Sequence, residues 1–339
     1  MLLRISDIIS IAGMKNMNSI YSNKQSKRIK LIFNPASGAA KKSSLQLMDV
    51  IKELQAWRFS PEPFLTEPDT NYAGLISDAL EQGINMFVVC GGDGTISTVA
   101  RAMLGKNAIM GIIPTGTQNN VALSLGIPFE IRSAIALLRT GKSTKIDMGM
   151  VTCRENKIPF LEICSVGLFS ALFQSGDEIQ HGDITRIGDF LTALTSSNPS
   201  KISLLLDNKH EIQDVGHVVL VSNMPYIGRH YRVGADDAYT DGLLDVLFCA
   251  DVPKLNLMVG YILKKPDTNS IEDPRIKHYR VRNLVIETNP PMPVMIDGSV
   301  CKEGKIRIGI RRHALTILTG SKKAAASGKM GDNIGTQRK

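Results

Sequence analysis

The chain has 339 residues, with 40 Lys and Arg against 32 Asp and Glu, a formal net charge of +8. Hydrophobic residues make up 43% and charged residues 21%, which excludes a disordered or collagen-like chain, and the length suits two domains. The charge is uneven: residues 1–30 carry six basic side chains and one acid, residues 321–339 five and one, and the body 31–320 nets −1. A neutral body with 5% aromatic residues argues against nucleic-acid binding, which asks for a basic face and stacking rings. Five dispersed cysteines without CxxC, and six histidines without HExxH, argue against a disulfide framework or a zinc site. No apolar run approaches the roughly 20 residues of a spanning helix.

In chain order, residues 1–27 read as a flexible extension, with apolar residues at Leu2, Leu3, Ile5, Ile8, Ile9, Ile11 and Ala12 whose spacing would also suit a short amphipathic helix. KRIKLIFNP reads as a buried strand, Ser43 to Trp57 as a helix, and Phe64–Leu65 as a short strand. A helix follows from Tyr72 to Leu80, closed by Gly83. INMFVVC and AIMGIIP are two more buried strands, each followed by a glycine turn and a helix, and Ile131 to Arg139 is a further helix. Repeated β–α units imply a parallel sheet covered on both faces. From about Ile146 the pattern changes to short strands: KIDMGMV, PFLEICSV, KISLLLD, VGHVVLVSN, LLDVLFC, RVRNLVIET, PVMIDG, KIRIGI and ALTILTG, with helices near 167–174, 184–195 and 254–263. This predicts an α/β domain over 28–145 and a mostly antiparallel β-sandwich over 146–320, whose last strand can return to the first domain. The tail 321–339 is small and polar and reads as disordered.

Three turns at strand ends carry the chemistry: Asn34-Pro35-Ala36-Ser37-Gly38, Gly91-Gly92-Asp93-Gly94-Thr95, and Pro114 to Asn120 with Gly116, Thr117 and Asn119. In an open parallel sheet all three fall on the carboxyl edge, where ligands bind. Glycine lets backbone N–H groups approach phosphate oxygens, and the helix N-terminus behind each turn favours negative charge. Thr95 and Thr117 add hydroxyls, and Asp93 places a carboxylate where a Mg²⁺ ion or its water shell is reached. GxxxxGK[ST] is absent, so the phosphates are held without a P-loop lysine, and no GxGxxG fingerprint points to hydride transfer.

The order NPASG, GGDGT, PTGTQNN, KIDMG, then YTDGLLDV and MIDG resembles the diacylglycerol kinase catalytic family, which includes bacterial lipid kinases and sphingosine kinases. The likeness runs from about Lys30 to Gly320. It implies a three-layer α/β nucleotide-binding domain of the NAD kinase/diacylglycerol kinase type joined to a C-terminal β-sandwich, with the active site in the cleft between them. It implies ATP and Mg²⁺ as cofactors, contacts to nucleotide at Asn34 to Gly38, Thr66, Gly91 to Thr98, Gly116, Thr117 and Asn119, and catalytic roles for Asp93 and Asp297. Asp147 matches an acid of the magnesium network, and Asp241 a structural Mg²⁺ loop. The implied partner is a lipid at a membrane surface, met by a cytoplasmic protein at the inner face whose basic flanks hold it near anionic lipid. A homodimer is left open.

Three positions depart from that pattern: Ser299 stands where the family has its proposed base, Asn120 where it has an acid, and Ser97-Thr98 where it has Asn-Glu. A serine hydroxyl does not accept a proton unaided near neutral pH. Phosphoryl transfer nevertheless depends chiefly on positioning and electrostatics. The reading is therefore an ATP-dependent lipid kinase. A kinase-fold protein that binds nucleotide or lipid with weak or no catalysis is the alternative, and an NAD kinase-like enzyme a further one. Glu162 either lines the cleft or faces solvent, and Arg229 with Arg232 either bind an acidic headgroup or lie in a solvated loop.

Overall fold

The structure, a computed structural model, describes residues 26–38, 43–167, 199–227, 231–250, 276–302 and 305–320. The expectations for the N-terminal extension, the tail, the helices near 167–174, 184–195 and 254–263, and Arg229 lie outside these residues.

The first half alternates as its periodicity predicts: β1 (Lys27–Phe33), α1 (Ser43–Ala56), β2 (Phe59–Leu65), α2 (Tyr72–Glu81), β3 (Met86–Gly91), α3 (Asp93–Met103), β4 (Ile109–Pro114), α4 (Asn120–Ser124) and α5 (Ile131–Thr140). The strands pair in parallel in the order β2-β1-β3-β4. Successive residues of β3 serve opposite faces: Met86, Val88 and Cys90 pack with α1 and α5, while Phe87 and Val89 pack with α2 and α3. This is why MFVVC reads as an unbroken apolar run. β2 is longer than the two residues expected from the sequence, because Pro61 and Pro63 hide it. It lies at the outer edge of the sheet, paired with β1, and its prolines fall at alternate positions that remove two N–H donors from the open edge.

The second half contains β5 (Lys142–Cys153), β6 (Asn156–Phe160), β7 (Ile163–Gly167), β8 (Ser200–Leu206), β9 (His210–Ser222), the short pair β10 (Tyr226–Ile227) and β11 (Tyr231–Arg232), β12 (Leu244–Ala250), β13 (Ile276–Val281), β14 (Asn283–Asn289), β15 (Pro293–Ile296), β16 (Ser299–Lys302) and β17 (Lys305–Thr319). β9 makes the sandwich by serving two layers: residues 210–216 pair with β8, and 218–222 pair with β7 and β12. The core between the layers sets Leu204, Ile286 and Ile308 against Val166, Val221 and Phe248.

KIRIGI and ALTILTG, two strands in the sequence reading, are one strand, β17. Its first part pairs with β14 and β5, and its last part runs parallel to β4 in the first half. Register with β5 slips between Arg311 and Leu315, where His313 takes a φ of +52°. PFLEICSV, by contrast, is two strands broken at Leu161-Glu162.

Gly149 of β5 faces Phe160 of β6, and a Cβ at Gly149 would lie 2.0 Å from the Phe160 ring. Gly149→Ala therefore lowers stability by about 1–3 kcal/mol through overpacking, read as a drop in the urea midpoint at unchanged slope. A midpoint equal to wild type would mean that the ring has room to move.

Candidate functional site

The carboxyl edge of the parallel sheet faces the β-rich half across a cleft of about 680 Å³. The α/β wall supplies residues from all three predicted turns: Asn34, Ala36, Ser37 and Gly38, then Gly92 to Thr95, then Gly116 and Thr117. Thr66, predicted to contact nucleotide, lines it too, on the loop after β2. The opposite wall is Glu162, Ile163, Met295, Asp297 and Gly298.

The turns brace one another. Asn34 Nδ2 donates to Thr95 Oγ1 at 2.8 Å, and Asn34 Oδ1 accepts from Ala36 N at 2.9 Å. Thr115 Oγ1 donates to Ser37 Oγ at 3.2 Å. Gly92 and Gly116 meet backbone to backbone, since a Cβ on Gly116 would lie 2.5 Å from the Gly92 Cα. Gly38, at φ +80°, has the Thr115 carbonyl against the place of its Cβ. Gly92 is the N-cap of α3 and brings no side chain to cap it, so the first N–H groups of that helix open toward the cleft. A Cβ on Gly94 would meet nothing within 4 Å.

Of the residues expected to hold nucleotide, three do not line the cleft. Asn119 is buried, with φ +56°, and closes the third turn on itself: Oδ1 accepts from Gly116 N at 2.9 Å and Nδ2 donates to Gly116 O at 2.8 Å. Pro35 and Gly91 are absent from the lining; Gly91 ends β3 packed against the Thr95 side chain. Behind this turn, burial pushes the Cys90 thiol up to about 12, so it stays protonated.

Of the four predicted acids, Asp93 and Asp297 line the cleft, and Asp147 and Asp241 do not. Asp93 lies at the cleft, with Oδ2 accepting from Asn120 N and Oδ1 from Val121 N, both at 3.0 Å, so it caps α4. Asp297, at φ +42°, also lies at the cleft. Its Oδ2 accepts from Leu161 N at 2.7 Å, and its Oδ1 from Glu162 N and Ile163 N at 3.0 Å. This clamp is what splits β6 from β7. Arg101 of α3 approaches Asp297 Oδ2 at 3.4 Å and donates to Pro159 O and Ile296 O, tying the two walls together. Asp147 is fully buried and away from the cleft lining. Its carboxylate accepts from Gly242 N at 2.8 Å and His313 N at 2.7 Å, pinning the slip in β17.

Asp241 is likewise remote from the lining. Its Oδ1 accepts from Leu243 N at 2.8 Å, and its Oδ2 pairs with the Arg280 guanidinium. Arg280 also approaches Asp245 Oδ1 at 3.6 Å, where His278 Nε2 stands at 2.9 Å. Burial raises the Asp241 carboxyl above the usual carboxylate range, and Asp245 and Asp237 push the same way, against the Leu243 N–H and Arg280. Asp245 Oδ2 is buried without a partner, but the backbone of Gly234 closes over it. Among the described residues no group of three His, Cys, Asp or Glu is arranged to hold a metal. The Asp147 carboxylate is occupied by main-chain N–H groups and that of Asp241 by the Leu243 N–H and Arg280, which is the cation seen at this loop.

Sequence reasoning missed Glu67, Pro68 and Tyr72, which line the cleft after the end of β2. It also missed Arg101, a lone helical arginine with no sequence signal. Arg232, expected to reach a headgroup or lie in a solvated loop, pairs with Asp236 at 3.0 Å.

An α/β half with three phosphate-type turns, facing a β-sandwich across a shared cleft, is the architecture of a kinase of the diacylglycerol kinase and NAD kinase type. The chain belongs to the diacylglycerol kinase catalytic family: residues 28–151 match the diacylglycerol kinase catalytic domain, and 179–319 match the YegS C-terminal NAD kinase beta sandwich-like domain. It is 25% identical over 282 residues to a diacylglycerol kinase of Bacillus subtilis, covering 80% of this chain and 89% of that protein. It is 29% identical over 282 residues to one of Staphylococcus carnosus, covering 80% and 88%. An uncharacterised protein of Synechocystis is 24% identical over 291 residues, covering 80% of this chain and 65% of that one. The crystal structure of a Bacillus anthracis diacylglycerol kinase shares the fold, with a TM-score of 0.66 at 20% identity over 88% of this chain and 98% of that one.

With Arg280 as the loop's cation, EDTA leaves the melting temperature of the ligand-free protein unchanged, whereas Arg280→Ala lowers it by about 2–4 °C. A large drop with EDTA, reversed by Mg²⁺, would instead restore the metal assignment.

Proposed function

We propose that this protein is an ATP-dependent lipid kinase, moving the γ-phosphoryl group to a hydroxyl of a diacylglycerol- or sphingoid-type lipid. The observation that carries the proposal is the N-terminus of α3, uncapped by any side chain, opening between two glycine turns onto a cleft of about 680 Å³. Backbone N–H groups there bind phosphate oxygens, and the helix dipole adds favourable charge. Thr95 Oγ1 accepts from Asn34, which orients the hydroxyl to donate its own proton into the cleft. MgATP enters as co-substrate. Asn120 Oδ1, buried without a partner and on the cleft lining, suits a proton of a magnesium-bound water. Asp93 positions that residue by capping α4. The apolar side chains of Ile163 and Met295 on the far wall favour a lipid acceptor over a dinucleotide such as NAD.

The test is transfer of labelled γ-phosphate from MgATP to diacylglycerol or sphingoid base in mixed micelles, with NAD as a competing acceptor. Labelled product in the organic phase supports the proposal. Label on NAD alone, or on neither, sinks it. Gly94→Val separates nucleotide binding from folding, because its side chain enters open cleft space. The variant keeps the wild-type melting temperature within a few degrees but raises the KM for ATP at least tenfold. An unchanged KM would remove the phosphates from this turn.

A further inference from the structure

The β-rich wall brings two carboxylates to the cleft, and they are not equivalent. Asp297 has both oxygens committed to the main-chain N–H groups of 161–163, so taking a proton there would break the clamp that shapes the wall. The rest of its turn offers only Gly298 and the exposed Ser299. Asp93, across the cleft, has both oxygens on the N-terminus of α4, and Glu67 is exposed at the mouth.

Glu162 is built differently. It enters the clamp through its main chain: its N–H donates to Asp297 Oδ1 at 3.0 Å, and its carbonyl accepts from Asn223 N at 3.0 Å. Its backbone is thus held at the break between β6 and β7. The residue lines the cleft, whose other wall carries the α3 turn, and is only 6% exposed. A carboxylate on a rigid, water-poor wall, carried by a fixed backbone, is what proton transfer in a cleft asks for.

We propose that Glu162 is the catalytic base that takes the proton of the attacking lipid hydroxyl, an assignment that rests on the lipid-kinase reading above. The acceptor O–H bond breaks and its proton passes to a Glu162 carboxylate oxygen. The acceptor oxygen bonds to the γ-phosphorus as the bridging bond to the β-phosphate breaks, and that electron pair leaves with ADP. The proton then passes to solvent, which regenerates the carboxylate.

The experiment compares wild type, Glu162→Gln and Glu162→Asp as full chains. It measures transfer from MgATP to diacylglycerol in mixed micelles across pH 5 to 9, and thermal stabilisation by MgATP. The expected result for Glu162→Gln is a kcat lowered about 100-fold or more, with the acid limb of the pH profile lost. Its KM for ATP and its stabilisation by MgATP stay at wild-type values, which a merely structural role would not predict. Glu162→Asp restores part of kcat and the acid limb. If Glu162→Gln retains kcat within threefold and the wild-type pH profile, the assignment is overturned while the lipid-kinase reading stands. If Glu162→Gln does not melt cooperatively, Glu162→Asp decides: a kcat and profile equal to wild type overturn the assignment. Wild type without lipid-dependent product overturns the reading and the assignment together.

Discussion

A carboxylate that accepts two or three main-chain N–H groups holds a backbone more firmly than a side-chain pair does, because each amide it satisfies would otherwise be buried and unpaid. Among the carboxylates of this protein that work in this way, three frame the cleft and the strand behind it. Asp93 binds the start of α4, 27 residues further on; Asp297 binds residues 161–163, the farthest 136 away; and Asp147 binds His313, 166 away. Each bond joins segments that hydrophobic packing alone would bring near one another without fixing their angle. The first shapes the third phosphate turn and the second the opposite wall, while the third fixes the strand that links the halves.

The same bonds divide the chemical labour of the cleft. Its α/β wall presents neutral donors, namely helix N–H groups and a threonine hydroxyl, so under the function proposed above a polyphosphate is held by dipoles and without a dedicated lysine. This agrees with a body that nets −1 over residues 31–320. Arg101 lies behind the scene, spending its charge on Asp297 and two carbonyls of the β-rich half. Binding groups and bridging groups are therefore different residues, and the width of the cleft is set by bonds that make no use of the ligand.

Much of this was legible in the sequence. The buried runs LIF, MFVVC and MGII, each ending in a glycine turn, placed the phosphate-type loops on one sheet edge. What remained hidden was orientation. An acid inside GGDGT or MIDG reads as chemistry, yet whether its oxygens face a ligand or a neighbouring amide depends on segments far away in the chain. Asp147 and Asp241 show the cost: both sit in recognisable motifs, and both are spent on backbone or on Arg280. Glu162 shows the reverse. In a strand-like run its facing was undecidable, because the break between β6 and β7 that turns it to the cleft is made by Asp297, more than a hundred positions later. β2 was shortened by prolines that only an edge strand tolerates, and β17 was divided by a slip that only Asp147 explains.

The return of β17 has a consequence for how the molecule is made. The parallel sheet of the first half ends at β4, whose open edge is covered by Thr316 and Ile317. A nascent chain that has emerged only as far as α5 has every helix of that half and four of its strands, but an exposed, apolar sheet edge. The long β5 has no strand to bridge it to that edge until residues 305–319 arrive. Completion of the amino-terminal sheet thereby waits for residues 305–319, and until they are made its edge is open to pairing elsewhere.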